Sequence, residues 1–90
     1  MLSLREEVRI AFVIGQAVYD RRNELGISQS ELARRAGMTQ PEVSRLELGG
    51  TMSAVPLLAR LAQAMESELN LQLVGDTCTV AFTAQQQEAA

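Results

Sequence analysis

The side chains here best equipped for chemistry are amides and guanidiniums, not nucleophiles or metal ligands. The 90 residues contain no histidine and a single cysteine, Cys78. That removes the usual general base and any internal disulfide or thiolate metal site. The 11 carboxylates stand beside no recognisable nucleophile or phosphate-binding loop. An enzyme is therefore not expected, and neither catalytic residues, metal nor cofactor are assigned. What remains is hydrogen bonding to a partner. Gln40, Ser44 and Arg45 fall in one short stretch, and these residue types hydrogen-bond base edges. All 8 cations are arginine, which suits two-point contacts to phosphate or guanine.

These residues belong to the stretch Ser28–Gly49, SQSELARRAGMTQPEVSRLELG. Ser28 is followed at the third position by Glu31, and Thr39 by Glu42; each pair predicts a capping box that starts a helix. Gly37 between them supplies a left-handed helix end. Leu32, Ala33 and Ala36, then Val43 and Leu46, recur at steps of three and four. Two short helices joined by a glycine turn make a helix-turn-helix. Such hairpins also occur in helical proteins that never touch nucleic acid. The polar face of the second helix is what favours DNA.

Flanking elements must hold this unit. Ser3 and Glu6 predict a third capping box, opening a helix that runs to about Glu24. Its apolar stripe is Leu4, Val8, Ala11, Gly15, Val18, Arg22 and Leu25, flanked by Phe12 and Ile14. That helix is longer than a minimal DNA-binding unit needs, so its first two turns should pass beyond the core, serving the monomer or packing on a partner. Gly26 ends it, and Ile27 acts as a hydrophobic staple. After the loop at Gly49–Thr51, Ser53 should cap a fourth helix with Pro56 in its first turn. Leu57, Leu58, Leu61, Ala62 and Met65 form its apolar face, leaving Arg60 and Gln63 solvated.

Periodicity then drops to two. Glu68–Val74 alternates polar and apolar as a half-buried strand, Gly75–Asp76 suits a type II′ turn, and Cys78, Val80 and Phe82 mark a second strand. With Val74 opposite Thr77, the pairs Leu73–Cys78, Leu71–Val80 and Leu69–Phe82 share one face. A lone hairpin leaves open edges, so a homodimer is predicted in which this strand pairs with its copy about a two-fold axis to form an intermolecular sheet, with Leu69, Leu71 and Leu73 as the dimerisation residues. The alternative is a hairpin folded onto its own helices. The expected organisation is a helical domain over 1–66, a β dimerisation segment over 67–83 and a disordered tail over 84–90.

Net charge is −3 and the pI about 4.8, unusual for a DNA binder. From Arg21 to Arg45, however, five arginines face three glutamates, while the remainder holds three arginines against eight acids. The positive part lies on the helix-turn-helix. No apolar run reaches the roughly 18 residues of a membrane span, and Arg5, Glu6, Glu7 and Arg9 interrupt any signal-peptide pattern. A cytoplasmic location without membrane contact is expected.

The run SQSELARRAGMTQPEVSRLE resembles the helix-turn-helix of lambda-repressor-like (XRE-type) regulators, closely over 28–49 and in pattern over 12–66. The resemblance implies a mainly α fold of four or five helices, here with a C-terminal strand or hairpin. It implies that Gln29 contacts phosphate, and that Thr39, Gln40 and Pro41 lie at the major-groove end of the recognition helix, with Ser44 and Arg45 a turn further in. Arg45 would read guanine through O6 and N7. Arg22 and Glu47 match a largely buried ion pair, and Arg34 and Arg35 lie where phosphate or plain solvent is equally near. Pro41, Leu48 and Glu42 depart from the family pattern in ways that weaken DNA contact. The strand following the fourth helix resembles antitoxin repressors of the HigA and HipB kind. That implies a dimeric operator-binding repressor that also neutralises a toxin protein and represses its own operon. The alternatives are a stand-alone XRE-type regulator and an interaction module that has lost DNA binding.

Overall fold

Hydroxyl caps and glycines set the limits of the helices. The computed structural model describes residues 3–51 and 54–85. In α1 (Leu4–Leu25), Ser3 accepts the Glu6 N–H at one end, and Gly26, with φ 68°, returns its own N–H to the Arg22 and Asn23 carbonyls at the other. Then follow α2 (Gln29–Ala36), α3 (Gln40–Glu47) and α4 (Val55–Ala64), with the strands β1 (Ser67–Val74) and β2 (Thr77–Ala84). Of the three expected capping boxes, only Thr39–Glu42 closes in both directions. Ser3 and Ser28 make the hydroxyl half alone, and the Glu31 carboxylate turns instead to Arg34 and Arg35. Ala54, with no side-chain hydrogen bond, holds the N-cap of α4; Ser53, the expected cap, lies outside the described residues.

Core packing is aliphatic. Val18, Leu32, Val43, Leu46, Leu61 and Met65 are the large side chains fully removed from solvent. The close crossing of α1 and α3 depends on Gly15. A Cβ there would overlap the Leu46 carbonyl oxygen and stand 2.9 Å from that of Glu47. These are backbone atoms with no flexible end to swing aside. Gly15→Ala should therefore destabilise the domain by about 1–3 kcal/mol, seen as a melting temperature lower by roughly 4–8 °C per kcal/mol. An unchanged melt would mean that the two helices can separate without penalty.

The broad buried face expected for α1 is only partly realised. Leu4, Val8 and Phe12 are exposed, and burial begins at Ala11. Phe12 lies against Gly49 on the surface. The helix instead buries a second face through Ala17 and Arg21, because β2 packs there.

The antiparallel hairpin has the anticipated register, Leu69 opposite Phe82, Leu71 opposite Val80 and Leu73 opposite Cys78. Gly75 has φ 60° while Asp76 has no positive φ, as a type II′ turn requires. Phe82, 5% exposed, joins the helical core, but Leu71 and Leu73 remain 44% and 59% exposed. The base of the hairpin is thus sealed to its own helices and its outer half projects. Ala84, expected in the tail, closes β2, and the Gln85 N–H donates to the Glu66 carbonyl. Residues 86–90 of that tail lie outside the described residues.

Candidate nucleic-acid interface

The two short helices meet across Gly37, whose φ of 69° lets its N–H bond the Ala33 carbonyl. Val43 and Leu46 anchor α3 from below, which turns Gln40, Pro41 and Arg45 outward and leaves Ser44 half-buried. Thr39 caps the helix: its hydroxyl accepts the Glu42 N–H, while the Glu42 carboxylate accepts from the Thr39 N–H at 2.8 Å and from its hydroxyl at 2.9 Å. This holds Glu42 back from the open end of the helix. The Thr39 amide first, and then its hydroxyl, keeps the Glu42 carboxyl below its ordinary pKa.

A continuous set of bonds ties this surface to α1. Arg22 Nε donates to Glu47 Oε2 at 2.7 Å and Nη2 to Oε1 at 3.1 Å, with Nη1 on the Ile27 carbonyl at 2.9 Å. Its hydrogen bonding to the Glu47 carboxylate raises the Arg22 pKa against the opposing effect of burial. Gln29 Nε2 donates to Glu47 Oε1 at 3.0 Å, and Gln40 Nε2 donates to Gln29 Oε1 at 2.7 Å. A carboxylate only accepts, so Glu47 fixes which way the Gln29 amide faces. Gln29 in turn takes the Gln40 NH2 group. The outward end of Gln40 is left with its carbonyl oxygen and one amide hydrogen.

The positive charge counted along this stretch is mostly committed elsewhere. Arg21 is buried, Arg22 is paired to Glu47, and Arg34 and Arg35 both bond Glu31. Arg45 makes no ion pair or side-chain hydrogen bond among the described residues. Arg34, at 70% side-chain exposure, is open to solvent despite its pairing. Leu69 is half-buried at the base of β1, whereas Leu71 and Leu73 extend beyond it. Arg21, counted in the sequence only as part of the positive stretch, proves to be buried against the start of β1. Its signal was the spacing of Ala11, Ile14, Val18 and Arg21 along a second stripe of α1.

The Glu31 cluster makes a prediction about acid. Hydrogen bonds from Arg34 first and Arg35 second bring its carboxyl from 4.5 to about 2. The folded value lies below the unfolded one, so the stabilisation is complete above pH 4.5 and is lost as pH falls towards 2. The pair is exposed, and salt should weaken it. A carbon-13 titration of the side-chain carboxyl is expected to place Glu31 near 2; a midpoint near 4.5 would show that the three side chains do not stay together.

Residues 18–71 match the helix-turn-helix family HTH_3. The match ends within β1, so most of the hairpin lies beyond it. An uncharacterised HTH-type transcriptional regulator of Methanothermobacter thermautotrophicus is 37% identical over 51 residues, which are 57% of this chain and 74% of that one. Among solved structures, the restriction-modification controller protein C.AhdI of Aeromonas hydrophila aligns with a TM-score of 0.62 and 28% identity, covering 64% of this chain and 88% of its own. The clp gene regulator ClgR of Corynebacterium glutamicum gives a TM-score of 0.61 at 27% identity, over 62% of this chain and 72% of its own.

Proposed function

The chain belongs to the helix-turn-helix family HTH_3 as an XRE-type transcription regulator, and from that we propose that it represses transcription as a homodimer on a palindromic operator. In this reading each α3 enters a major groove, and the projecting hairpins join the two copies.

The observation that carries the reading is the bonded path Arg22–Glu47–Gln29–Gln40. A mobile glutamine surrenders rotamer freedom on binding, whereas one held from behind has already lost it. The outward carbonyl and amide hydrogen of Gln40 match the N6 donor and N7 acceptor of adenine. Arg45 supplies the guanine contact, Pro41 offers apolar contact to a thymine methyl, and Ser44 lies between them. Thr39 sets the entry of the helix, its hydroxyl being occupied by the cap. Gln29 positions Gln40, and Arg34 is exposed enough to leave Glu31 for phosphate.

The test is selection from a random duplex pool followed by titration at several salt concentrations. A palindrome with half-sites about 34 Å apart should emerge, with affinity that falls as salt rises. Arg45→Ala should weaken binding by about 1–3 kcal/mol and relax preference at one base pair of each half-site. A uniform loss at all positions would make Arg45 a phosphate contact. No binding even at low salt would leave the interaction module as the function.

The narrower reading is an antitoxin. Its support is the acidic remainder of the chain and the exposed apolar stripe of Leu4, Val8 and Phe12 along α1, a surface suited to a protein partner. Co-expression with the neighbouring gene should yield a tight complex with its product. If the two purify apart, the chain is a stand-alone regulator.

A further inference from the structure

Arg21 and Arg22 are consecutive on α1, yet they hold different parts of the molecule. Arg22 grips the end of α3 through Glu47. Arg21, only 8% exposed, grips the corner where α4 becomes β1. Its Nε donates to Ser67 Oγ at 2.7 Å and its Nη2 to the Met65 carbonyl at 3.3 Å, with Nη1 3.8 Å from Glu24 Oε2. The Ser67 hydroxyl spends its own hydrogen on the Met65 carbonyl at 2.7 Å. Between these two residues, Glu66 occupies the left-handed region with φ 49°, a conformation a non-glycine side chain adopts at a cost. The guanidinium therefore bonds both sides of the sharpest bend leading into the hairpin.

We infer that Arg21 is the positioning residue that sets the distance between the two recognition helices, by fixing the tilt of the hairpin relative to α1. The inference rests on the dimeric operator reading proposed above. Phe82 also fastens the hairpin, but apolar contact is non-directional and tolerates sliding and rocking. Hydrogen bonds from a planar guanidinium do not. An 8-residue strand is about 27 Å long, so a tilt of about 10° at its base moves its tip by about 5 Å. That exceeds the roughly 3.4 Å rise of one base pair, and two-fold symmetry doubles it. A small loss of direction at Ser67 thus becomes a loss of spacing on the operator.

The test compares wild type with Arg21→Met, in which an unbranched apolar chain keeps the packing of the arginine stem and removes the guanidinium with its bonds. Dimer dissociation, affinity for one half-site, and affinity for operators spaced at the selected distance and one base pair either side are measured. Wild type should favour its spacing about 10-fold or more, and Arg21→Met only about 2–3-fold, with dimerisation and half-site affinity within about 2-fold. Ser67→Ala, which leaves the guanidinium in place with one acceptor fewer, should shift the preference in the same direction and serves if Arg21→Met does not fold. A merely structural role would lower affinity in proportion at all three spacings. That result, or an undiminished preference in folded variants, overturns the inference. A wild-type chain indifferent to spacing, or binding as a monomer, overturns the dimer reading itself and the inference with it, before any substitution is made.

Discussion

Leu71→Arg is expected to abolish tight operator binding without altering any residue of α2 or α3. Leu71 faces Val80 on the apolar side of the hairpin, next to Leu73 and Cys78, and is already 44% exposed in one copy. An arginine there meets water in the monomer, so the fold should tolerate it, with a melting temperature close to wild type. In the proposed dimer the same position would bury a charge against an apolar neighbour, which is strongly unfavourable without a partner. Losing the dimer removes the gain from linking two half-sites, about 10²–10⁴-fold in affinity. Sedimentation should show a monomer, and titration should show binding reduced to that of a single half-site. A variant that stays dimeric and binds the full operator normally would place the dimer contact elsewhere.

The size of this effect follows from how few cations α3 offers. The arginines from Arg21 to Arg45 mark a positive region in the sequence, but the helical steps of three and four that pair Glu31 with Arg34 and Arg35 are present in the same letters. The same spacing offers Glu31 to the cap of Ser28, and spacing alone does not decide which of two short-range partners takes a carboxylate. Apart from the Ser3–Glu6 box, of which only the hydroxyl half forms, the other local signals match the structure where the partner is near in the chain. Gly26, Gly37, the Thr39–Glu42 box and the register of the hairpin all follow from neighbours within a few residues. Arg21 meets Ser67 across 46 positions, and the hydrogen bond from Gln40 to Gln29 depends on how two helices cross. Nothing in a single sequence records those distances. The exposure of Phe12 has the same origin: its spacing fits a buried face, but no element covers that face among the described residues.

Glu47 is where stability and recognition meet, and substituting it should separate the two. Its side chain is 3% exposed and that of Arg22 11%. Glu47→Ala leaves a guanidinium out of water without its counter-charge, at a cost of about 3–5 kcal/mol. Domains of this length are stabilised by only about 4–13 kcal/mol, so the melting temperature should fall by more than roughly 10 °C. An apolar pair, Arg22→Met with Glu47→Leu, removes both charges and should recover most of that loss. DNA binding should not recover with it. Without the Glu47 carboxylate, nothing dictates the facing of the Gln29 amide, and Gln40 loses its fixed orientation. The double variant should therefore melt near wild type yet bind its operator more weakly, with the deficit at the base pair that the proposed complex assigns to Gln40. If affinity returned with stability, the carboxylate would matter only as the counter-charge of Arg22. If stability stayed low, the buried pair would be worth more than the packing that replaces it. The predicted pattern, stability restored and recognition not, is what a carboxylate accepting from Arg22 and Gln29 at once requires.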